Sequence, residues 1–183
     1  MSLATIFAIL LTFTFTENYA LIEGLGTGAV IENERSKRRS LIIGLGTIIV
    51  MVLATLITWP LNKYVLHNVT YLQTMAFVVV VMLVVYAIHV FAKKRVEGYC
   101  HVDFMKFGVN GAVLGLCIHN THIATLTEAL VTSFAVGFGM TVTMIVFSSL
   151  YRKVDHKALP KAFRGTPINL LIAGLIALAL LAF

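Results

Sequence analysis

The chain has 183 residues, 59% of them hydrophobic and only 12% charged, with a net charge of +6 and a mean hydropathy of +0.93. A soluble domain carries roughly a quarter of its residues charged, so this composition excludes an ordinary water-soluble fold and makes lipid the solvent for most of the surface. The positive charge does not mark a nucleic-acid binder, because the basic residues sit in short gaps between apolar runs, not on a basic face with polar and aromatic neighbours.

A helix needs about 20 mostly apolar residues to cross about 30 Å of hydrocarbon. Six such segments are predicted, at about 2–31, 40–59, 71–92, 104–119, 124–150 and 167–183, in one transmembrane domain over 1–183. The N-terminal run has no Lys or Arg before it, so it reads as mature protein and not as a secretory leader.

The first segment is too long and too polar in its middle for a plain span. After an apolar stretch come Thr16-Glu17-Asn18-Tyr19-Ala20-Leu21-Ile22-Glu23 and then Gly24-Leu25-Gly26-Thr27-Gly28. Each carboxylate near mid-segment costs roughly 2.5–3.5 kcal/mol on an insertion scale, and each glycine weakens a helix by about 1 kcal/mol relative to Ala. An interrupted helix accounts for both, provided its irregular backbone is covered by protein. Glu17, Asn18 and Glu23 are therefore candidate ion-pathway or helix-break residues. For Glu17 an ion or proton site competes evenly with a carboxylate that binds orphan backbone N–H groups. Asn18 reads as a cap more readily than as a ligand.

The second segment is predicted to end at Trp59-Pro60, since Pro cannot continue a helix interior and Trp favours the headgroup level. Pro160 and Pro167 bracket the start of the sixth. Thirteen of the fourteen basic residues fall in the connections after segments one, three and five, or just beyond them: Arg35, Lys37, Arg38, Arg39, then Lys93, Lys94, Arg95, Lys106, then Arg152, Lys153, Lys157, Lys161 and Arg164. Lys63 is alone on the other side. The positive-inside bias assigns the basic side to the cytoplasm of a multi-pass cell (inner) membrane protein, with both termini outside.

The fourth segment is short and contains Gly108-Val109-Asn110-Gly111-Ala112-Val113-Leu114-Gly115. Asn18 and Asn110, each followed by x-Ala, stand 92 residues apart, about half the chain. The same shift carries the second segment onto the fifth and the third onto the sixth, and brings Gly44-Leu45-Gly46 to within one residue of Gly137-Phe138-Gly139. Three spans per repeat force opposite orientations, giving an all-α fold of two inverted three-helix repeats, about 1–92 and 93–183. Interrupted segments at matching places in such halves point to a midplane site. Asn110, like Asn18, is a candidate helix-break residue, and the paired glycines allow close helix approach.

Other polar residues have plainer readings. Glu128 suits a helix start. His119 and His122 lack further metal ligands and read as a solvated pair. His89 snorkels from a helix end. The two cysteines, Cys100 and Cys117, form no metal-type pair. No catalytic residues are identified, and no soluble catalytic motif is present.

Phe15-Thr16-Glu17-Asn18-Tyr19-Ala20-Leu21 with Leu25-Gly26, Tyr71-Leu72-Gln73-Thr74-Met75-Ala76-Phe77, Val109-Asn110-Gly111-Ala112-Val113-Leu114-Gly115, and Phe163-Arg164-Gly165 with Ile172-Ala173-Gly174-Leu175-Ile176-Ala177-Leu178 resemble the small integral membrane subunits of the Rnf and Nqr complexes (the A and E subunits of Rnf, the D and E subunits of Nqr). The resemblance runs in order over nearly the whole chain. It implies a six-helix subunit paired with a homologue in an ion-translocating electron-transport complex. In typical members one cysteine in the first segment and one in the fourth help ligate a midplane iron–sulfur cluster. Those positions fall here on Gly28 and Gly111, which offer no thiolate. The polar run Cys100-His101-Val102-Asp103-Phe104-Met105-Lys106 also departs from the family. The resemblance therefore implies a subunit that binds no cofactor or metal of its own, with any flavin or iron–sulfur group carried by partner subunits. Its neighbours would be lipid, other Rnf/Nqr-like subunits or a second homologous subunit. An enzymatic role would be that of one component of a membrane oxidoreductase. The alternatives from other classes are a small-solute or ion transporter using the inverted-repeat cavity without electron transfer, and the substrate-binding subunit of a vitamin importer.

Overall fold

A computed structural model describes residues 3–32, 37–66, 70–96, 110–154, 160 and 165–182. Several features read from the sequence lie outside it: residues 100–106, Lys157, Lys161 and Arg164, and the side chains of Arg35, Lys37, Arg38, Arg39, Lys93, Lys94 and Arg95. Among the described residues the chain is all-helical, with no strand. Its helices are α1 (Leu3–Leu11), α2 (Thr27–Glu32), α3 (Lys37–Leu61), α4 (Thr70–Val96), α5 (Gly111–His119), α6 (Leu126–Tyr151) and α7 (Thr166–Leu181). Two wide π turns extend α1 through Thr12–Thr16 and α3 through Asn62–Leu66, and a 3₁₀ turn, Asn120–His122, follows α5.

Among the described residues three stretches are long and apolar enough to cross a membrane: Ser40–Leu66, Tyr71–Val90 and Leu126–Tyr151. Ala4–Thr16 and Thr166–Leu181 are shorter apolar helices. The helix expected to stop at Trp59-Pro60 instead runs on through Leu61 and the following π turn. The missing proline N–H removes one rung of the ladder, and a wider turn absorbs the defect without ending the span.

The centre of the bundle is the crossing of α3 and α6, the most extensively packed pair. Of an 18-residue apolar stretch of α6 61% is buried, against 22% of such a stretch in α4, so α6 is the interior helix and α4 a peripheral one. The crossing is close because glycines face it. Gly44 lies against the Thr141 side chain, and a methyl group on Gly137 would stand 3.0 Å from the Ile48 Cα. With lipid outside, interior and exterior faces are equally apolar, so small residues and hydroxyls distinguish the inside. Thr47, Thr58, Ser133, Thr141 and Thr143 each donate to the carbonyl four residues back at 2.6–3.0 Å, a bond that satisfies the hydroxyl without another partner. Leu45, Ile49 and Leu53 of α3 stay exposed, as suits a lipid-facing stripe.

The remaining elements dock on this pair. α1 and its π turn pack on α6, and α5 packs on α3. α4 lies against α3 and α5, while α7 lies against α6, α2 and the first π turn. Asn120 pins the end of α5 to both central helices, donating to Thr55 Oγ1 at 3.0 Å and Ser133 Oγ at 3.1 Å. The α6 start is capped by Thr125, which accepts from the Glu128 N–H and donates to its carboxylate. Gly139 marks the tightest entry of the first segment: a Cβ there would stand 2.6 Å from the Phe13 carbonyl oxygen and 3.1 Å from the Thr14 Cα. Gly139→Val should destabilise the protein by about 1–3 kcal/mol through overpacking, read as a lower unfolding temperature in detergent. Gly174→Ala, where a Cβ meets nothing within 4 Å, should not lower that temperature and should raise it slightly, since Ala favours a helix interior over Gly by about 1 kcal/mol.

Candidate functional site

The α1 helix and its π turn span about 20 Å at 1.5 Å per residue, roughly two-thirds of the hydrocarbon, before the helix fails. Glu17 N–H closes the π turn on the Thr12 carbonyl at 2.7 Å. No helix then forms until Thr27. Such a stretch leaves backbone groups unpaired where water is scarce, and the pairing is shared between the Asn18 side chain and two main-chain carbonyls. Asn18, 1% exposed, accepts from the Ala20 and Leu21 N–H groups at 3.0 and 3.4 Å with its Oδ1. Its Nδ2 donates to the Thr14 carbonyl at 2.9 Å and to Thr143 Oγ1 of α6 at 2.8 Å. Every hydrogen-bonding capacity of the amide is used. Its own carbonyl receives the N–H groups of Ile22 and Glu23, and the Tyr19 carbonyl receives those of Leu25 and Gly26. Gly24, at φ +69°, makes the left-handed reversal that a side chain would oppose.

Glu17 and Glu23 both sit on the exposed face of this break and make no ion pair among the described residues. The orphan N–H groups are held by Asn18, not by Glu17. An amide serves better here because it donates and accepts at once, whereas a carboxylate only accepts.

Asn110 opens α5, its Oδ1 accepting from the Val113 N–H at 3.1 Å in extended backbone geometry, an N-cap. Its Nδ2 faces the Met140 sulfur at 4.0 Å. The two segments meet directly. A methyl group on Gly111 would stand 2.7 Å from the Leu25 carbonyl oxygen, and Gly115 lies under the Leu25 side chain and the Tyr19 ring. Phe13, Tyr19 and His119 form an aromatic trio across the same junction, His119 edge-on to Phe13 and Tyr19 with centroids at 5.7 and 6.3 Å. His119 is thus packed between rings and is not one of a solvated pair. His122 lines a different recess. Cys117 is buried in α5 as a free thiol.

Among the described residues no group of three or more His, Cys, Asp or Glu could hold a metal. Gly28, one of the two family cysteine positions, has open space where a Cβ would be, but at Gly111 the Leu25 backbone fills that space. The residues at these two positions therefore do not fit a thiolate-ligated cluster. Sequence reasoning finds the break in the first segment and the cap at Asn110 but misses Thr143, Leu25 and His119; the start of the fourth segment lies outside the described residues. A lone Thr in α6 or a Leu among glycines gives no signal until the helices are packed.

Two outcomes follow for variants. Asn18→Ala strands the Ala20 and Leu21 N–H groups at about 1–3 kcal/mol each, so it should unfold at a markedly lower temperature than Thr143→Val, which removes one partner only. Gly28→Cys should fold with normal yield, while Gly111→Cys should lower thermal stability and yield because its Cβ meets backbone.

The Rnf-Nqr subunit family of membrane proteins matches residues 6–183. Similar curated proteins include the A component of the ion-translocating oxidoreductase complex of Syntrophotalea carbinolica, 32% identical over 96% of this chain and 94% of that protein. The A component of the Na⁺-translocating ferredoxin:NAD⁺ oxidoreductase complex of Acetobacterium woodii is 28% identical over 98% of this chain and 96% of its own. The A component of the ion-translocating oxidoreductase complex of Pectobacterium atrosepticum is 26% identical over 91% of this chain and 89% of its own.

Proposed function

The chain belongs to the Rnf-Nqr family of membrane subunits, and we propose that it works within an ion-translocating electron-transport complex of that kind, without an iron–sulfur cluster of its own. The relatives over nearly its full length are named as components of such complexes. The observation that carries the cluster-free part is the Leu25 carbonyl packed against Gly111, with glycine at both family cysteine positions. A cluster needs thiolates, usually four. Any flavin or iron–sulfur group belongs to partner subunits.

Six spans in two inverted halves are the architecture we favour, and the packing supports it. Exchanging the halves maps α1 with its π turn onto α5, α3 onto α6, and α4 onto α7. The neighbour pattern survives the exchange: α1 on α6 answers α5 on α3, and α4 on α3 answers α7 on α6. On this topology the basic connections face the cytoplasm of the cell membrane and both termini face outward. Glu17 and Glu23 then lie at an interruption within the membrane, where ionisable groups serve ion or proton pathways. Asn18 and Asn110 hold the two segment starts around them. Their exposed face is suited to a second homologous subunit, since irregular backbone and carboxylates do not face hydrocarbon.

Purification of the tagged chain from its own membranes should bring down further components of the complex, with all iron accounted for by them. Stoichiometric iron with thiolate-to-iron absorbance in the separated chain would sink the cluster-free reading. In the assembled complex, Glu17→Gln should suppress most ion translocation while leaving the complex intact; unchanged translocation removes Glu17 from the pathway.

A further inference from the structure

Lys63 is the one basic residue that does not share in the topological bias of the other thirteen. It stands just past the far end of α3, whose 25 residues begin at Lys37 and span about 37 Å at 1.5 Å per residue. Lys63 is thus at the opposite membrane face from the basic connections. Its surroundings carry the marks of headgroup depth: Trp59 lies beside it, and Tyr64 and Tyr71 are 78% and 83% exposed. Aromatic side chains of this kind belt a membrane interface.

At this level the π turn after α3 and the 3₁₀ turn after α5 form two walls of a recess of about 420 Å³, lined by Trp59, Asn62, Lys63, His122 and Ile123 among others. The walls are tied together, since the Trp59 indole N–H donates to the Ile123 carbonyl at 3.0 Å. The Lys63 ammonium is held over the Trp59 ring, 4.6 Å from its centroid, an attraction that fixes a cation in place. The Asn62 amide is oriented by Gln73, whose Nε2 donates to Asn62 Oδ1 at 2.5 Å, so the Asn62 NH₂ is left to donate elsewhere. His122 adds a ring nitrogen. The Thr121 hydroxyl is already spent on the Ile118 carbonyl at 2.7 Å. Among the described residues no Asp or Glu lines the recess. The set is a cation with neutral donors and an apolar aromatic wall, which suits an anionic oxygen cluster joined to an apolar body.

We propose that this recess binds the phosphate of an anionic phospholipid headgroup in the leaflet opposite the basic connections. The volume exceeds the needs of a water or a bare ion, and the depth presents the ligand directly from the bilayer.

The test uses the detergent-solubilised chain, stripped of lipid and titrated with phosphatidylglycerol, phosphatidylcholine or inorganic phosphate, with bound ligand read by native mass spectrometry. One phosphatidylglycerol should persist per chain. Lys63→Gln should weaken it about fivefold, the factor one lysine contributes to anionic-lipid attraction. Lys63→Arg should keep it, and Asn62→Asp should repel it. Lys153→Gln, an exposed basic residue at the other end of the bundle, should change nothing. Equal retention by Lys63→Gln and wild type, or equal loss in Lys153→Gln, overturns the proposal. Saturable phosphate binding that depends on Lys63, with no preference for phosphatidylglycerol over phosphatidylcholine, would assign the recess to a soluble anion instead.

Discussion

A stretch of unwound chain inside a membrane bundle needs its peptide groups paired by protein, because hydrocarbon pairs none of them. Here one amide supplies the side-chain share of that requirement, and the main-chain carbonyls of Asn18 and Tyr19 supply the rest. Asn18 ties the end of the first π turn to the two N–H groups beyond it and anchors both to Thr143 on the central helix α6. Once that tie is made, Tyr19 and Leu25 are delivered to the face of α5, and the interrupted first segment closes on the start of α5 through Leu25 and Gly111. The glycines of α3 and α6 work toward the same end: the central pair crosses closely, and Gly139 lets the first segment approach α6 near enough for Asn18 to reach Thr143.

The junction is a packed contact of backbone, aromatic rings and a cap. Its carboxylates are turned outward, away from the contact, onto the face left open in the isolated chain. The curated relatives are named as components of complexes; in this chain the interrupted scaffold is packed and its two carboxylates lie at the exposed edge. Glycine makes the junction a place of close backbone approach at position 111, where any Cβ would meet the Leu25 carbonyl.

Much of this is legible in the residues. Two carboxylates and three glycines in a dozen residues cannot form a plain span, and the helix does fail between Thr16 and Thr27. Asn110 is the kind of residue that caps a helix, and it caps α5. Pro60 fails as a stop signal because a single missing N–H can be absorbed by a widened turn in a long, well-packed helix, a tertiary effect that no local rule contains. The pairing of His119 with His122 fails for a similar reason. Three residues apart, they leave α5 through a 3₁₀ turn that sends one ring inward to Phe13 and Tyr19 and the other to the Lys63 recess.

The sequence by itself determined the solvent, the helical class, the position of the break and the asymmetry of charge, because hydropathy, glycine content and lysine placement act locally and additively along the chain. Only the tertiary structure decided which side chain satisfies the break, that Leu25 occupies the space a residue larger than glycine would need at 111, and that Lys63 overhangs Trp59 in a recess. The first two depend on groups from distant segments arriving within a few ångströms, and the recess on two turns from different helices meeting at one level. Those distances are set by how the helices cross, which no stretch of sequence states.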